Sequence, residues 1–243
     1  MPRAARVVIP GCPHHLTQRG NNRQPVFFVD DDRRVYLELL REQADRFELA
    51  VVGYCLMTNH IHLVVTPLHE QSLAKAIGST HLKYTRYINR LHGRCGHLWQ
   101  DRFFSSPLDG EYFWRAMRYV ERNPVRARLV RRAWRYAWSS AAAHVRGKDA
   151  TGLLDLADWR EAVGSVGDWS QWLTRPEDEA VVARLRRWTL RGCPLGADSF
   201  VSKLERTLGR RLRPLPVGRP RKPRKTTKTK KTMKTKRKPP KKI

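Results

Sequence analysis

The chain has 243 residues, room for one domain of ordinary size with an appendage and too little for two large domains. Lys and Arg number 49 against 22 Asp and Glu, a formal charge of +27 that excludes a cationic partner and favours a polyanion, nucleic acid ahead of an anionic membrane. Fourteen of those cations fall between Arg219 and Ile243 without one acid, yet the first 218 residues still hold 35 cations to 22 acids and are basic in their own right.

Residues 10–19 (PGCPHHLTQR) read as a short strand closed by Gly20, Asn21 and Asn22, with a polar turn running on to Gln24 and Pro25. Asp30, Asp31 and Asp32 supply an acidic helix start, and Tyr36, Leu40, Ala44 and Phe47 recur at steps of four, four and three, which predicts a helix over 31–47. Residues 49–56 (LAVVGYCL) are apolar and β-rich, a buried strand. Met57, Thr58 and Asn59 form a turn, and 60–66 (HIHLVVT) a second strand stopped by Pro67, so the two make an antiparallel hairpin. Ser72 suits a helix start, and Leu73, Ile77, Tyr84, Ile88 and Leu91 mark one face of a helix that Gly93 ends. Residues 98–108 read as a strand, 111–122 (EYFWRAMRYVER) as a short helix limited by Pro124, and 125–146 as mixed helix and loop.

This order predicts an α+β fold, a central antiparallel sheet with helices packed on one face. We divide the chain into a core over 1–146, a mostly helical C-terminal extension over 147–213, and a Lys-, Arg-, Pro- and Thr-rich tail over 214–243 with too little apolar surface to order itself. No apolar stretch approaches the ~20 residues of a membrane span, and residues 1–13 lack the apolar run of a signal peptide. Cys12, Cys55, Cys95 and Cys193 are scattered without a Cys-x-x-Cys pair, which fits a reducing cytoplasm rather than a zinc ribbon or disulfide framework.

Two short patterns bear on chemistry. On a strand, His60 and His62 project to the same side while Ile61 and Leu63 face the core, so two imidazoles can share one divalent cation. Alone, the pair reads equally as two half-exposed histidines, and two ligands are too few for Mg²⁺ or Mn²⁺. Tyr119 and Asn123, four apart, share a helix face and offer a phenol and an amide oxygen, a hard donor; Glu121 points elsewhere and is the weaker ligand candidate. The plain alternative is a core tyrosine and an asparagine that ends a helix before Pro124.

The segments HLTQRGNNRQPVF (15–27), MTNHIHLVV (57–65), HLWQDRF (97–103) and YVERNPVRARLV (119–130), with WSS at 138–140, resemble the REP-associated tyrosine transposases. These are bacterial single-tyrosine members of the HUH endonuclease superfamily, and the resemblance covers roughly residues 5–145. It implies a ferredoxin-like fold, a divalent cation (Mg²⁺ or Mn²⁺) held by His60, His62 and Asn123, and Tyr119 as nucleophile. The substrate implied is single-stranded or hairpin DNA, cut and rejoined through a 5′-phosphotyrosine, in a monomer or homodimer associated with the cytoplasmic nucleoid. Arg128 stands where that family usually has Gly, which bears on the local turn. A non-catalytic DNA- or RNA-binding regulator on the same scaffold is the alternative.

For DNA contact we single out the polar-basic turn of Arg19, Asn21, Asn22 and Arg23. Lys83, Arg86 and Arg90 on the polar side of the second helix join it, as does Arg102 with Trp99 nearby for stacking. In the tail, Arg219 and Arg221 sit in a Gly-Arg-Pro stretch suited to a minor groove.

Overall fold

The computed structural model describes residues 5–213, except 155, 157, 158, 160–162 and 164–166. The expected basic tail, Arg219 and Arg221 included, lies outside the described residues.

The chain order is β1 (His14–Arg19), a 3₁₀ turn (Asn21–Arg23), α1 (Asp30–Arg46), β2 (Leu49–Met57), β3 (His60–Pro67), α2 (Ser72–Leu91), β4 (Phe104–Pro107), α3 (Gly110–Glu121) and α4 (Asn123–Arg126). Beyond these come a 3₁₀ turn (Ala133–Arg135), α5 (Ala141–Arg146), α6 (Trp169–Thr174), α7 (Glu179–Arg191) and α8 (Asp198–Leu208). The four strands form one antiparallel sheet in the order β2-β3-β1-β4. With α1 between β1 and β2 and α2 between β3 and β4, this is the ferredoxin-like βαββαβ arrangement. The fold is α+β, as the sequence predicts.

Strand alternation separates the two faces of the sheet. Leu16, Leu56, Ile61, Leu63 and Val65 pack with Tyr36, Leu40, Leu73, Ile77 and Ile88 of α1 and α2. Burying each such aliphatic side chain contributes about 1.5–3 kcal/mol. The one-sided packing expected from sequence describes α1 and α2. The histidine face is covered as well: Cys55, Met57 and Val64 pack with Met117 and Val120 of α3 and Leu185 of α7. Gly53 makes the close approach of α3 possible, because a Cβ there would come within 2.5 Å of the Met117 methyl.

The strand expected over 98–108 is confined to Phe104–Pro107. Asp101 interrupts it with a left-handed backbone (φ 53). Trp99 meets the sheet only at an isolated bridge to Gly20.

Arg128 also has a left-handed backbone (φ 57). Its N–H donates to the Val125 carbonyl and the Leu129 N–H to the Pro124 carbonyl, at 3.0 and 2.9 Å. That is the Schellman closure of α4, whose αL position glycine normally fills. The turn is kept in spite of the side chain, and the chain bears the Cβ cost. Arg128→Gly is therefore expected to raise stability by about 1 kcal/mol in chemical denaturation. A loss of stability would contradict this account of the turn.

Candidate active site

In the antiparallel register Arg19 lies opposite His60 and Thr17 opposite His62, and on the other side of β3 Met57 and Cys55 are their partners. Paired residues project to one face, so β1 delivers His15, Thr17 and Arg19 to the face that carries the histidine pair. α3 then lays Tyr119 over this face. The Tyr119 ring sits 5.4 Å from the His62 ring and 5.6 Å from the His15 ring, edge-on to both. His60 and His62 are 5.1 Å apart, centroid to centroid.

These groups line one cavity of about 680 Å³ with Arg19, Asn123, Arg126, Arg186 and Thr189. Residues far apart in the chain, Tyr119, Asn123, His60 and His62, thus meet in a single subunit. Arg126 follows Tyr119 by seven positions and shares its helical face. Its guanidinium lies 4.1 Å from the centre of the Tyr119 ring, donates to the Tyr119 carbonyl at 2.7 Å, and pairs with Glu177 at 2.7 Å. Arg186 of α7 donates its Nε–H to the Tyr119 hydroxyl at 3.2 Å.

The imidazoles are held neutral. Burial, reinforced by the positive charges of Arg19, Arg126 and Arg186, pushes His60 down to about 4. Burial with Arg126 pushes His15 to about 3, and His62 lies well below its ordinary value, mainly through burial. Elsewhere burial lowers His14 to about 4 and His81 to about 3. An unfolded histidine titrates near ~6.5. On acidification the unfolded chain therefore takes up protons that the folded chain refuses, and stability falls from pH 7 towards the folded values. The melting temperature at pH 5 is expected to lie at least about 5 °C below that at pH 7. An equal or higher value at pH 5 would count against neutral buried rings.

A divalent cation is the group this family resemblance implies, and the donors can be tested for it. Asn59 donates from Nδ2 to the Arg23 carbonyl at 3.0 Å, which orients its amide, and its oxygen lies 2.6 Å from His60 Nδ1. His60 Nδ1 must then carry the proton, leaving Nε2 with a lone pair. His62 Nδ1 is likewise engaged, by His15 Nε2 at 3.0 Å. Asn123 uses Nδ2 on the Tyr119 and Val120 carbonyls, both at 3.3 Å, leaving its oxygen as the donor. Among the described residues no group of three or more His, Cys, Asp or Glu could hold a metal. Two imidazoles and one amide oxygen fit a cation that completes its shell with phosphate and water oxygens.

The other sequence expectations divide. Arg19 lines the cavity. Asn21, Asn22 and Arg23 form an exposed turn beside it, with Asn22 and Arg23 in left-handed conformations. Lys83, Arg86 and Arg90 are not brought to the cavity, since α2 covers the opposite face, and Lys83 is paired with Glu42 at 2.7 Å. Trp99 cannot serve as a stacking platform for a base. It is only 8% exposed, with its ring stacked 4.4 Å from His81 and packed beside Tyr36 and Tyr84. Arg102 is exposed and lines a neighbouring groove. Sequence reasoning missed His15, Arg126, Arg186 and Thr189.

Residues 9–123 match the model of the family described as "Transposase IS200 like". This segment is IS200-transposase-like. The transposase-like segment contains His15, His60, His62, Tyr119 and Asn123 and stops short of Arg126, Arg186 and Thr189, in accord with the resemblance read from the motifs. A solved structure of a REP-associated tyrosine transposase bound to a REP hairpin shares 17% identity, covering 64% of this chain and 90% of its own, with a TM-score of 0.48. A crystal structure described as that of a transposase from Deinococcus radiodurans R1 shares 21% identity, covering 49% of this chain and 96% of its own, with a TM-score of 0.36. None of the curated proteins matches the chain. Among the described residues no helix is long and apolar enough to cross a membrane.

Proposed function

We propose that the protein is a metal-dependent, single-tyrosine DNA strand transferase that cuts and rejoins single-stranded DNA at hairpin-flanked, REP-type repeats. The observation that carries this reading is the meeting of the Tyr119 ring with the His60–His62 pair in one cavity of one chain. Nucleophile and histidines come from the same chain, so the tyrosine acts in cis, in a monomer or in each half of a homodimer.

In the reaction the Tyr119 oxygen attacks phosphorus and gives up its proton. The bond from phosphorus to the 3′ oxygen breaks, that oxygen gains a proton, and the 5′ phosphate is left on the tyrosine. One phosphodiester replaces another, so a DNA 3′ hydroxyl can reverse the step. Mg²⁺ or Mn²⁺ on His60, His62 and Asn123 would supply Lewis-acid stabilisation of phosphate charge. Arg126 and Arg186 place positive charge beside the nucleophile.

The path of the strand is supported by a second groove of about 540 Å³ lined by Arg6, Arg102, Arg191, Arg210 and Arg211. It shares Asp101, Phe104 and Leu190 with the cavity. Burial, with a smaller push from the neighbouring Arg102, lowers Arg6 to about 10. Such a groove suits phosphates and makes binding fall steeply with salt.

The test is a single-stranded hairpin oligonucleotide incubated with the full chain and Mn²⁺ or Mg²⁺, resolved on a denaturing gel. A covalent protein–DNA adduct is expected, abolished by chelator while the non-covalent complex persists. Binding with no metal-dependent adduct across a panel of hairpins would instead favour a non-catalytic regulator.

A further inference from the structure

We propose that α7 is a positioning element of the site: Thr189, through His15, allows His62 to take the tautomer that can ligate a cation, while Arg186 holds the Tyr119 phenol. The inference rests on reading His60 and His62 as cation ligands. Arg186 and Thr189 are three apart on α7 and share a face, and both lie beyond the segment matched to the transposase family.

Proton placement along a buried chain of side chains decides which nitrogen of His62 is free. Thr189 Oγ1 lies 2.8 Å from His15 Nδ1, and His15 Nε2 lies 3.0 Å from His62 Nδ1. Thr189, His15 and His62 are all buried. With neutral rings, two arrangements satisfy both contacts. In the first, His62 Nδ1–H donates to His15 Nε2, His15 Nδ1–H donates to the Thr189 oxygen, and His62 Nε2 keeps a lone pair. In the second every donor is reversed: the Thr189 hydroxyl donates to His15, His15 donates to His62 Nδ1, and His62 Nε2 carries a proton. Only the first lets His62 bind a cation. His60 needs no such choice, because the Asn59 oxygen can only accept.

A hydroxyl at 189 can accept in the first arrangement and donate in the second, so a cation can draw the chain into the first with both ring N–H groups paired. Valine has nearly the same shape and no acceptor. The first arrangement would then strand the His15 N–H in a buried place, whereas the second strands only a ring lone pair. Thr189→Val therefore biases His62 towards the form that cannot ligate.

Arg186 acts on the other reacting group. Its Nε–H occupies one side of the Tyr119 oxygen, which leaves the phenolic proton free to depart elsewhere and places a cation where charge builds as it does.

The experiment measures Mn²⁺ affinity of the full-length protein by electron paramagnetic resonance of free Mn²⁺, with ¹⁵N NMR of the histidine rings in the metal-free state. Thr189→Val is expected to lose about 10- to 100-fold in Mn²⁺ affinity. Its metal-free His62 should hold more of the Nε2–H tautomer than the parent's, and Thr189→Ser should restore both readouts. Arg186→Ala should bind Mn²⁺ at least as tightly as the parent, because a positive charge near His60 is lost, while slowing adduct formation at saturating Mn²⁺. Folded Thr189→Val that binds Mn²⁺ as tightly as the parent overturns the role of Thr189, and Arg186→Ala with parental adduct kinetics overturns that of Arg186. A parent protein with no Mn²⁺ binding overturns the metal-centre reading itself, and the tautomer proposal with it.

Discussion

Tyr119→Phe is expected to remove the covalent DNA adduct and lower strand cleavage by at least ~10³-fold. Binding of the same hairpin should stay within about threefold. The split is expected because the hydroxyl and the ring do separate work. The hydroxyl is the attacking atom, and the hydrogen bond found for it comes from Arg186. Losing it costs about 1 kcal/mol of stability. The ring is held independently, by Arg126 above its face at 4.1 Å and by the edge contacts with His15 and His62. Phenylalanine keeps all of these, so the cavity and its arginines remain in place for DNA. The measurement is a denaturing gel for adduct beside a mobility shift for binding. Parental cleavage by the Phe variant would sink the assignment of the nucleophile.

Local period made the two halves of the site legible before their meeting was. His60 and His62 follow from strand alternation, with Ile61 and Leu63 found fully buried on the other side. Tyr119 and Asn123 follow from helical spacing. His15 was within reach by the same logic, since it shares parity with Thr17 and Arg19. So was Arg126, at the i+7 position from Tyr119. What period cannot give is which side of a sheet a helix will cover. The polar side of α2 was read correctly as polar, yet α2 packs behind the sheet and takes Lys83, Arg86 and Arg90 with it.

Trp99 failed for a related reason. It is followed in sequence by polar Gln100, Asp101 and Arg102, but its neighbours in space are His81, Tyr36 and Tyr84. Arg186 and Thr189 carry no local signal at all. Their roles arise only when α7 docks on the histidine face, a contact between segments more than sixty residues apart.

Glu121 marks the other side of the nucleophile helix, and its removal should have the largest effect on stability. Two positions from Tyr119, it points away from the cavity and is fully buried. One carboxylate oxygen accepts from Ser140 Oγ at 2.6 Å and lies 2.5 Å from His144 Nδ1, and the other accepts from Trp169 Nε1 at 2.8 Å. This carboxylate ties α3 to α5 and to the C-terminal extension, and it is spent on structure rather than on a cation. Glu121→Ala would strand the buried donors of His144 and Trp169, while the Ser140 hydroxyl can turn to the Tyr54 carbonyl 3.3 Å away, a cost of about 3–5 kcal/mol. A fall in melting temperature of about 10 °C is expected. Glu121→Gln keeps the shape and one acceptor oxygen and turns an amide N–H₂ towards a donor, so a smaller loss is expected, with Mn²⁺ affinity unchanged. Were Glu121 a metal ligand instead, the order would invert: the Gln variant would melt near the parent and lose the metal.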